Sequence, residues 1–134
     1  MTSPSHLWPT LSCHAPRAVV DFLVDALGFT LLVSYDDEAG EVAHAELASP
    51  TGRGGVMLSA VREGDDRGVG APGTASCYVV VPDVDAVVAR ARAAGAQVVR
   101  EPFDTDYGSR DATVRDPEGG TWFLGTYEGH PLPG

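Results

Sequence analysis

Lysine is absent from this sequence; all nine basic residues are arginine. That absence removes lysine Schiff-base chemistry and the P-loop lysine from the candidate mechanisms. Bases of any kind are few, nine against nineteen acids, and a formal charge of -10 would repel nucleic acid and anionic membrane surfaces. Nucleic-acid binding is therefore not expected. No apolar run approaches the roughly 20 residues of a membrane span, and the opening MTSPSHLWPT lacks a basic segment followed by an apolar one. The expectation is a cytoplasmic protein with no membrane partner. Cysteine is also scarce. Cys13 and Cys77 each fall in an apolar, strand-like run and are read as reduced, buried thiols rather than a disulfide.

With 43% hydrophobic and 21% charged residues, the composition is that of an ordinary globular protein. A chain of 134 residues suits one domain with a real core, burying roughly two-thirds of its unfolded surface. The chain also repeats itself. Ala18-Val19-Val20-Asp21 returns as Ala86-Val87-Val88-Ala89, each inside a helical pattern that stops near a glycine, Gly28 or Gly95. Ser49-Pro50-Thr51-Gly52 returns as Asp116-Pro117-Glu118-Gly119, each a turn between two apolar runs.

Each half reads as strand, helix and three strands. In the first, strands are expected near 7–13, 29–35, 41–48 and 55–60, with a helix over about 16–27. In the second they fall near 75–81, 96–100, 109–115 and 121–126, with a helix over about 83–94 that Asp83 would cap. The fold class is therefore α+β: one domain over 1–134 made of a module near 7–60, a Gly-rich linker near 61–74, a module near 75–127 and a short C-terminal tail. No phosphate cradle is present, since Gly52-Arg53-Gly54-Gly55 lacks the strand-to-helix context of a dinucleotide fingerprint.

The paired β-α-β-β-β repeat, the segments AVVDFLVDALGF and PDVDAVVARARAAGA, and the ending YGSRDATVRDPEGGTWFLGTYEG resemble the vicinal oxygen chelate superfamily. Within it the sequence is similar in style to the glyoxalase/bleomycin-resistance and PhnB-like proteins. The resemblance covers about Leu7 to Tyr127 and implies two modules that curl one mixed sheet around a cavity. Strand alternation then assigns faces. Ala43, Ala45 and Leu47 share one side of their strand, and Val42, His44 and Glu46 share the other. Ala112 and Val114 oppose Asp111, Thr113 and Arg115. The second set of each pair is expected on the cavity side.

Enzymes of this superfamily hold a divalent metal with His and Glu on four strands. The resemblance places those positions at Trp8, Met57, Ser76 or Cys77, and Phe123. Alternation favours Ser76, because Cys77, Val79 and Val81 share the apolar face. Indole, thioether, hydroxyl and phenyl groups do not build the N/O site such a metal wants, so neither a metal nor a cofactor is expected. His44 and Glu46 are the remaining pair with ligand chemistry; they read as a partly solvated polar pair, as two of three ligands with Asp111, or as acid/base groups. Trp8, Met57 and Phe123 would instead make the cavity apolar and aromatic, suited to a flat organic ligand. Arg110 could offer its fork to a ligand carboxylate or phosphate, or pair with Asp104, Asp106 or Asp111.

The expected function is metal-free binding of a small organic molecule, a cationic or aromatic metabolite or antibiotic, with no catalytic residue and with a homodimer as the assembly. The candidate ligand residues are Trp8, His44, Glu46, Met57, Ser76, Arg110, Asp111, Thr113 and Phe123. Two alternatives stand beside it: a glyoxalase-like lyase or isomerase, with or without a metal at His44 and Glu46, and a domain whose cavity is simply filled.

Overall fold

A proline in the first turn and a left-handed glycine at the end bracket the first helix. Pro16 opens α1 (Pro16–Phe22), which runs on through a wider π turn, Leu23–Leu27, until Gly28 takes φ 87°. Along this length Val19, Val20, Phe22, Leu23, Ala26 and Leu27 are buried. The second helix, α2 (Val84–Ala93), begins where the Asp83 carboxylate accepts the Ala86 N–H at 3.0 Å. It ends with Arg90 and Arg92 in the last turn, where cations complement the helix dipole. The computed structural model describes residues 5–62, 64 and 70–133. Part of the expected linker, residues 63 and 65–69, lies outside them.

Among the described residues, eight strands accompany the helices: β1 (Thr10–Cys13), β2 (Thr30–Asp36), β3 (Val42–Ala48), β4 (Gly55–Ala60), β5 (Ser76–Val80), β6 (Gln97–Asp104), β7 (Arg110–Arg115) and β8 (Thr121–Gly125). They form two four-stranded mixed sheets, ordered β1-β4-β3-β2 and β5-β8-β7-β6. In each, the first and last strands of the repeat pair in parallel and the rest pair antiparallel. The α+β class and the tandem repeat stand as read. The cavity differs from the expectation: no strand pairing joins the two sheets among the described residues, so the two halves do not close one sheet around a space.

Each sheet buries one face. Cys13, Ala45, Leu47, Val56 and Leu58 from the first sheet join Val79, Ala112, Val114, Trp122 and Leu124 from the second and the apolar sides of both helices in one core. Trp122, 1% exposed, meets Phe29 edge to face at 5.7 Å and donates its indole N–H to Asp116 at 2.9 Å. Two polar ties also cross between the halves. The Arg90 Nε–H donates to the Ala26 carbonyl at 3.2 Å. Glu118, in the turn before β8, accepts the N–H groups of His14 and Ala15 at 2.6 and 2.9 Å, just before α1 begins.

Alternation correctly separates His44 and Glu46 from Ala45 and Leu47, but it inverts at Val42. That residue is 2% exposed, whereas Ala43 is half-buried. The cause is a bulge: Tyr35 pairs with His44 and Asp36 with Val42, which leaves Ala43 unopposed. Strand β6 also runs past its expected end at residue 100, to Asp104, because two register shifts carry its pairing through Pro102. A proline is tolerated there because β6 is an edge strand.

The two thiols are free. Burial, then the nearby Glu118 and Asp116 carboxylates, push the Cys13 thiol up to about 12, and burial followed by Asp116 raises Cys77. The thiolate is the reactive form. Cys13 is buried as expected, whereas Cys77 is only half-buried, so native protein at pH 8 should leave Cys13 unmodified by an aromatic disulfide reagent and react slowly at Cys77, with two equivalents titrating after denaturation. Rapid native labelling would contradict this burial.

Candidate ligand-binding site

The face of each sheet turned away from the helices is open. On the second sheet, cross-strand register aligns Tyr78, Phe123, Thr113 and Arg100 in one row and Val80, Gly125, Asp111 and Phe103 in the next. These rows, with the hairpin before β7, line a basin of about 590 Å³ that includes Tyr78, Arg100, Phe103, Tyr107, Asp111 and Phe123. Its aromatics present usable surface, since Tyr78, Phe123 and Tyr107 are 43%, 42% and 61% exposed.

Asp111 organises one end of this basin. Its Oδ1 accepts hydrogen bonds from Ser109 Oγ and, at 3.3 Å, from Tyr78 Oη, while its Oδ2 accepts from Tyr107 Oη at 3.2 Å. Tyr107 also packs edge to face with Tyr127 at 5.7 Å. Partial desolvation, with the Asp111 carboxylate adding to it, raises both phenols above their ordinary values, so each remains protonated at neutral pH and able to donate. Gly125 makes the arrangement possible. A methyl group there would lie 1.8 Å from Tyr78 Oη and 2.4 Å from Asp111 Oδ1.

The candidate residues divide between the sheets. Phe123, Thr113 and Asp111 meet in the basin. Ser76 is exposed in the neighbouring row beside Thr121 and does not line it. Trp8, Met57, His44 and Glu46 belong to the first half. Trp8 covers Gly55, where a methyl would lie 2.8 Å from the indole, and donates to the Ser5 carbonyl at 2.8 Å. Met57 pairs with Thr10 and Glu46. His44 Nε2 lies 2.9 Å from Glu46 Oε2, with the Tyr35 ring near-parallel to the imidazole.

Arg110 is engaged in ion pairs. Its guanidinium binds both oxygens of Asp85 at 2.7 and 2.9 Å and reaches Asp104 at 3.0 Å, tying β7 to the first turn of α2. That bidentate pairing holds the Asp85 carboxyl below its ordinary range. Tyr78, Arg100, Phe103 and Tyr107 are basin residues that the sequence reading did not single out. Tyr78 follows Ser76 by one strand period, so the alternation that opened Ser76 to the cavity face carried the signal for it.

The donors present do not fit the divalent metal that the superfamily's enzymes use. The four carried-over positions supply ring, thioether and hydroxyl groups; Met57 lies in β4 and Ser76 and Phe123 in β5 and β8, whereas Trp8, expected in the first strand, precedes β1 because that strand starts only at Thr10. Among the described residues His44 and Glu46 have no third ligand, and no three His, Cys, Asp or Glu side chains gather to hold a metal ion. A second concavity, of about 480 Å³, is lined by Phe29, Val56, Val79 and Trp122 with Arg53 and Glu128.

Residues 7–124 match the model of the Glyoxalase/Bleomycin resistance protein/Dioxygenase superfamily, and the chain belongs to it. Among solved structures, TioX from Micromonospora sp. ML1 is similar at 35% identity and a TM-score of 0.72, over 90% of this chain and 97% of that one. TnmS3, an antibiotic binding protein from Streptomyces sp. CB03234, is 24% identical with a TM-score of 0.67 over 92% of this chain and 97% of that one. A glyoxalase/bleomycin resistance protein from the same Streptomyces is 24% identical with a TM-score of 0.64, over 88% and 98%. These last two likenesses are of fold alone. No curated protein matches the chain.

Proposed function

We propose that this protein binds a small, planar aromatic molecule on the open face of its second sheet, without a metal, and so sequesters a metabolite or antibiotic. The observation that carries this reading is the basin itself: Tyr78, Phe103, Tyr107 and Phe123 line one concavity together with Asp111 and Arg100. Aromatic faces set among convergent polar groups offer a planar molecule both stacking and hydrogen bonds. Tyrosine faces attract cations, and the net charge of -10 draws a cationic ligand toward the protein. TnmS3 is an example of this fold in an antibiotic binding protein.

A homodimer is part of the proposal. Each sheet leaves its outer strands, β1 and β2 or β5 and β6, with one unpaired edge among the described residues, and each exposes large apolar side chains, Leu31 and Tyr35 on the first and Tyr78 and Phe123 on the second. A second copy would cover both.

Calorimetric titration with a panel of planar cationic aromatics, run alongside thermal melts and light scattering, tests these points together. A binder present at a hundredfold excess over its Kd should add about 2.7 kcal/mol of apparent stability. Chelator should change neither affinity nor melting. Silence across the panel, or affinity abolished by chelator, would sink the reading.

One observation favours a second reading. The His44–Glu46 pair at 2.9 Å, on the open side of the first sheet, could move a proton in a lyase or isomerase reaction. Such activity would be lost in His44→Ala and unaffected by chelator.

A further inference from the structure

Resting on the binding reading above, we infer that Arg100 selects the ligand: it docks the acidic edge, a carboxylate or phenolate, of a planar aromatic molecule. Three observations converge on this residue. First, its guanidinium lies over the Phe103 ring, with Cζ 3.5 Å from the ring centroid. A guanidinium packed this closely over a ring is restrained by it, and its N–H groups remain free to meet a planar acceptor.

Second, Arg100 forms no ion pair among the described residues; Arg53, Arg90 and Arg115 also form none, but Arg100 is the arginine whose side chain lines this basin. Arg110 is committed to Asp85 and Asp104, Arg92 to Glu101, and Arg17 to Asp36. Within the basin the acids are mostly occupied as well. Asp111 accepts three hydroxyl groups, and Asp104 is held by Arg110. Asp106, the remaining carboxylate in the lining, forms no ion pair with Arg100. Arg100 is thus a guanidinium in the basin whose charge-assisted hydrogen bonds are left for a ligand.

Third, the backbone singles out this position. Register shifts in β6 fall on both sides of Arg100, between Val98 and Arg100 and again between Arg100 and Phe103. Bulges re-aim side chains and gather beside functional sites. Between the two shifts Arg100 pairs with Thr113, in the row that continues to Phe123 and Tyr78. The guanidinium therefore ends a row of two aromatic rings and a hydroxyl, and a flat ligand lying along that row meets it in the plane of its own substituents. The protein's negative field attracts a ligand that also carries a cationic group, while Arg100 determines which edge docks.

Two probes of matched shape and opposite charge test the inference: naphthalene-2-carboxylate and naphthalen-2-ylmethylammonium, titrated at 0.15 M salt, where the Debye length is about 8 Å and long-range repulsion is screened. Wild-type protein is compared with Arg100→Met, which keeps the side-chain stem, and Arg100→Lys, which keeps the charge but not the fork. The position is exposed, and equal melting temperatures confirm that the variants fold. Arg100→Met should weaken the carboxylate by roughly tenfold or more, the scale of a charge-assisted hydrogen bond, and leave the ammonium within about twofold. Arg100→Lys should recover only part of that loss, because an ammonium group cannot present a planar fork. If both probes bind but Arg100→Met weakens them equally or not at all, the selection role is overturned and the binding reading stands. If neither probe binds wild-type protein, both fail.

Discussion

Replacing Trp122 with alanine is expected to destabilise the protein by about 4 kcal/mol, the usual cost of deleting a large aromatic side chain from a packed core. Trp122 is 1% exposed, and its partner Phe29 comes from the other half of the chain. The cavity left by the indole would therefore loosen the contact between the halves as well as the packing of one sheet. Trp122→Phe separates packing from polarity. It removes the hydrogen bond to Asp116 but keeps most of the apolar volume, and Asp116 retains the N–H groups of Glu118 and Gly120. Its cost should be near 1 kcal/mol, that of one hydrogen bond. Urea unfolding with unchanged m-values measures both. A loss below about 1 kcal/mol for alanine would contradict the core position assigned to Trp122.

Gly125→Ala should have the largest effect on binding for the smallest change in side chain. The added methyl would lie 1.8 Å from Tyr78 Oη and 2.4 Å from Asp111 Oδ1, so both must move. Tyr78 is 43% exposed and can swing outward, which keeps the cost to folding modest. Binding should suffer more, since the basin loses one aromatic wall and the hydrogen bond that fixes it. A fall in affinity of about thirtyfold is expected, equivalent to one hot-spot contact of about 2 kcal/mol, measured calorimetrically beside a melting curve. Unchanged affinity would mean that ligand does not use this wall.

Much of the scaffold was legible because repetition and alternation are physical signals. The valines of AVVD and AVVA face the core in both helices, and Gly28 and Gly95 both adopt positive φ where the helices were expected to stop. Legibility failed where the period of two breaks. Ala43 is an unopposed bulge residue, so the faces of 42 and 43 exchange. In β6 the strand was expected to end near residue 100, yet pairing continues to Asp104. The basin was only half visible for the same reason. Phe123, Thr113 and Asp111 lie on regular strands, whereas Arg100 and Phe103 are brought into the lining by bulges and Tyr107 by a hairpin. Arg110 shows a further limit: sequence offered several acids nearby, but Asp85, 25 residues away, takes the bidentate pairing.

The Glu118 carboxylate lies 104 residues along the chain from the His14 N–H that it accepts. A contact of that separation has a consequence for assembly as well as for strength. The loop it closes is nearly the whole polypeptide, so its entropy must be spent before the bond can form, and contacts of this kind slow folding. On a ribosome the start of the first helix would emerge long before the acid that completes it. Until then those N–H groups can bond only to water. The first half of the chain therefore reaches its final form only after the last turn of the second has been synthesised.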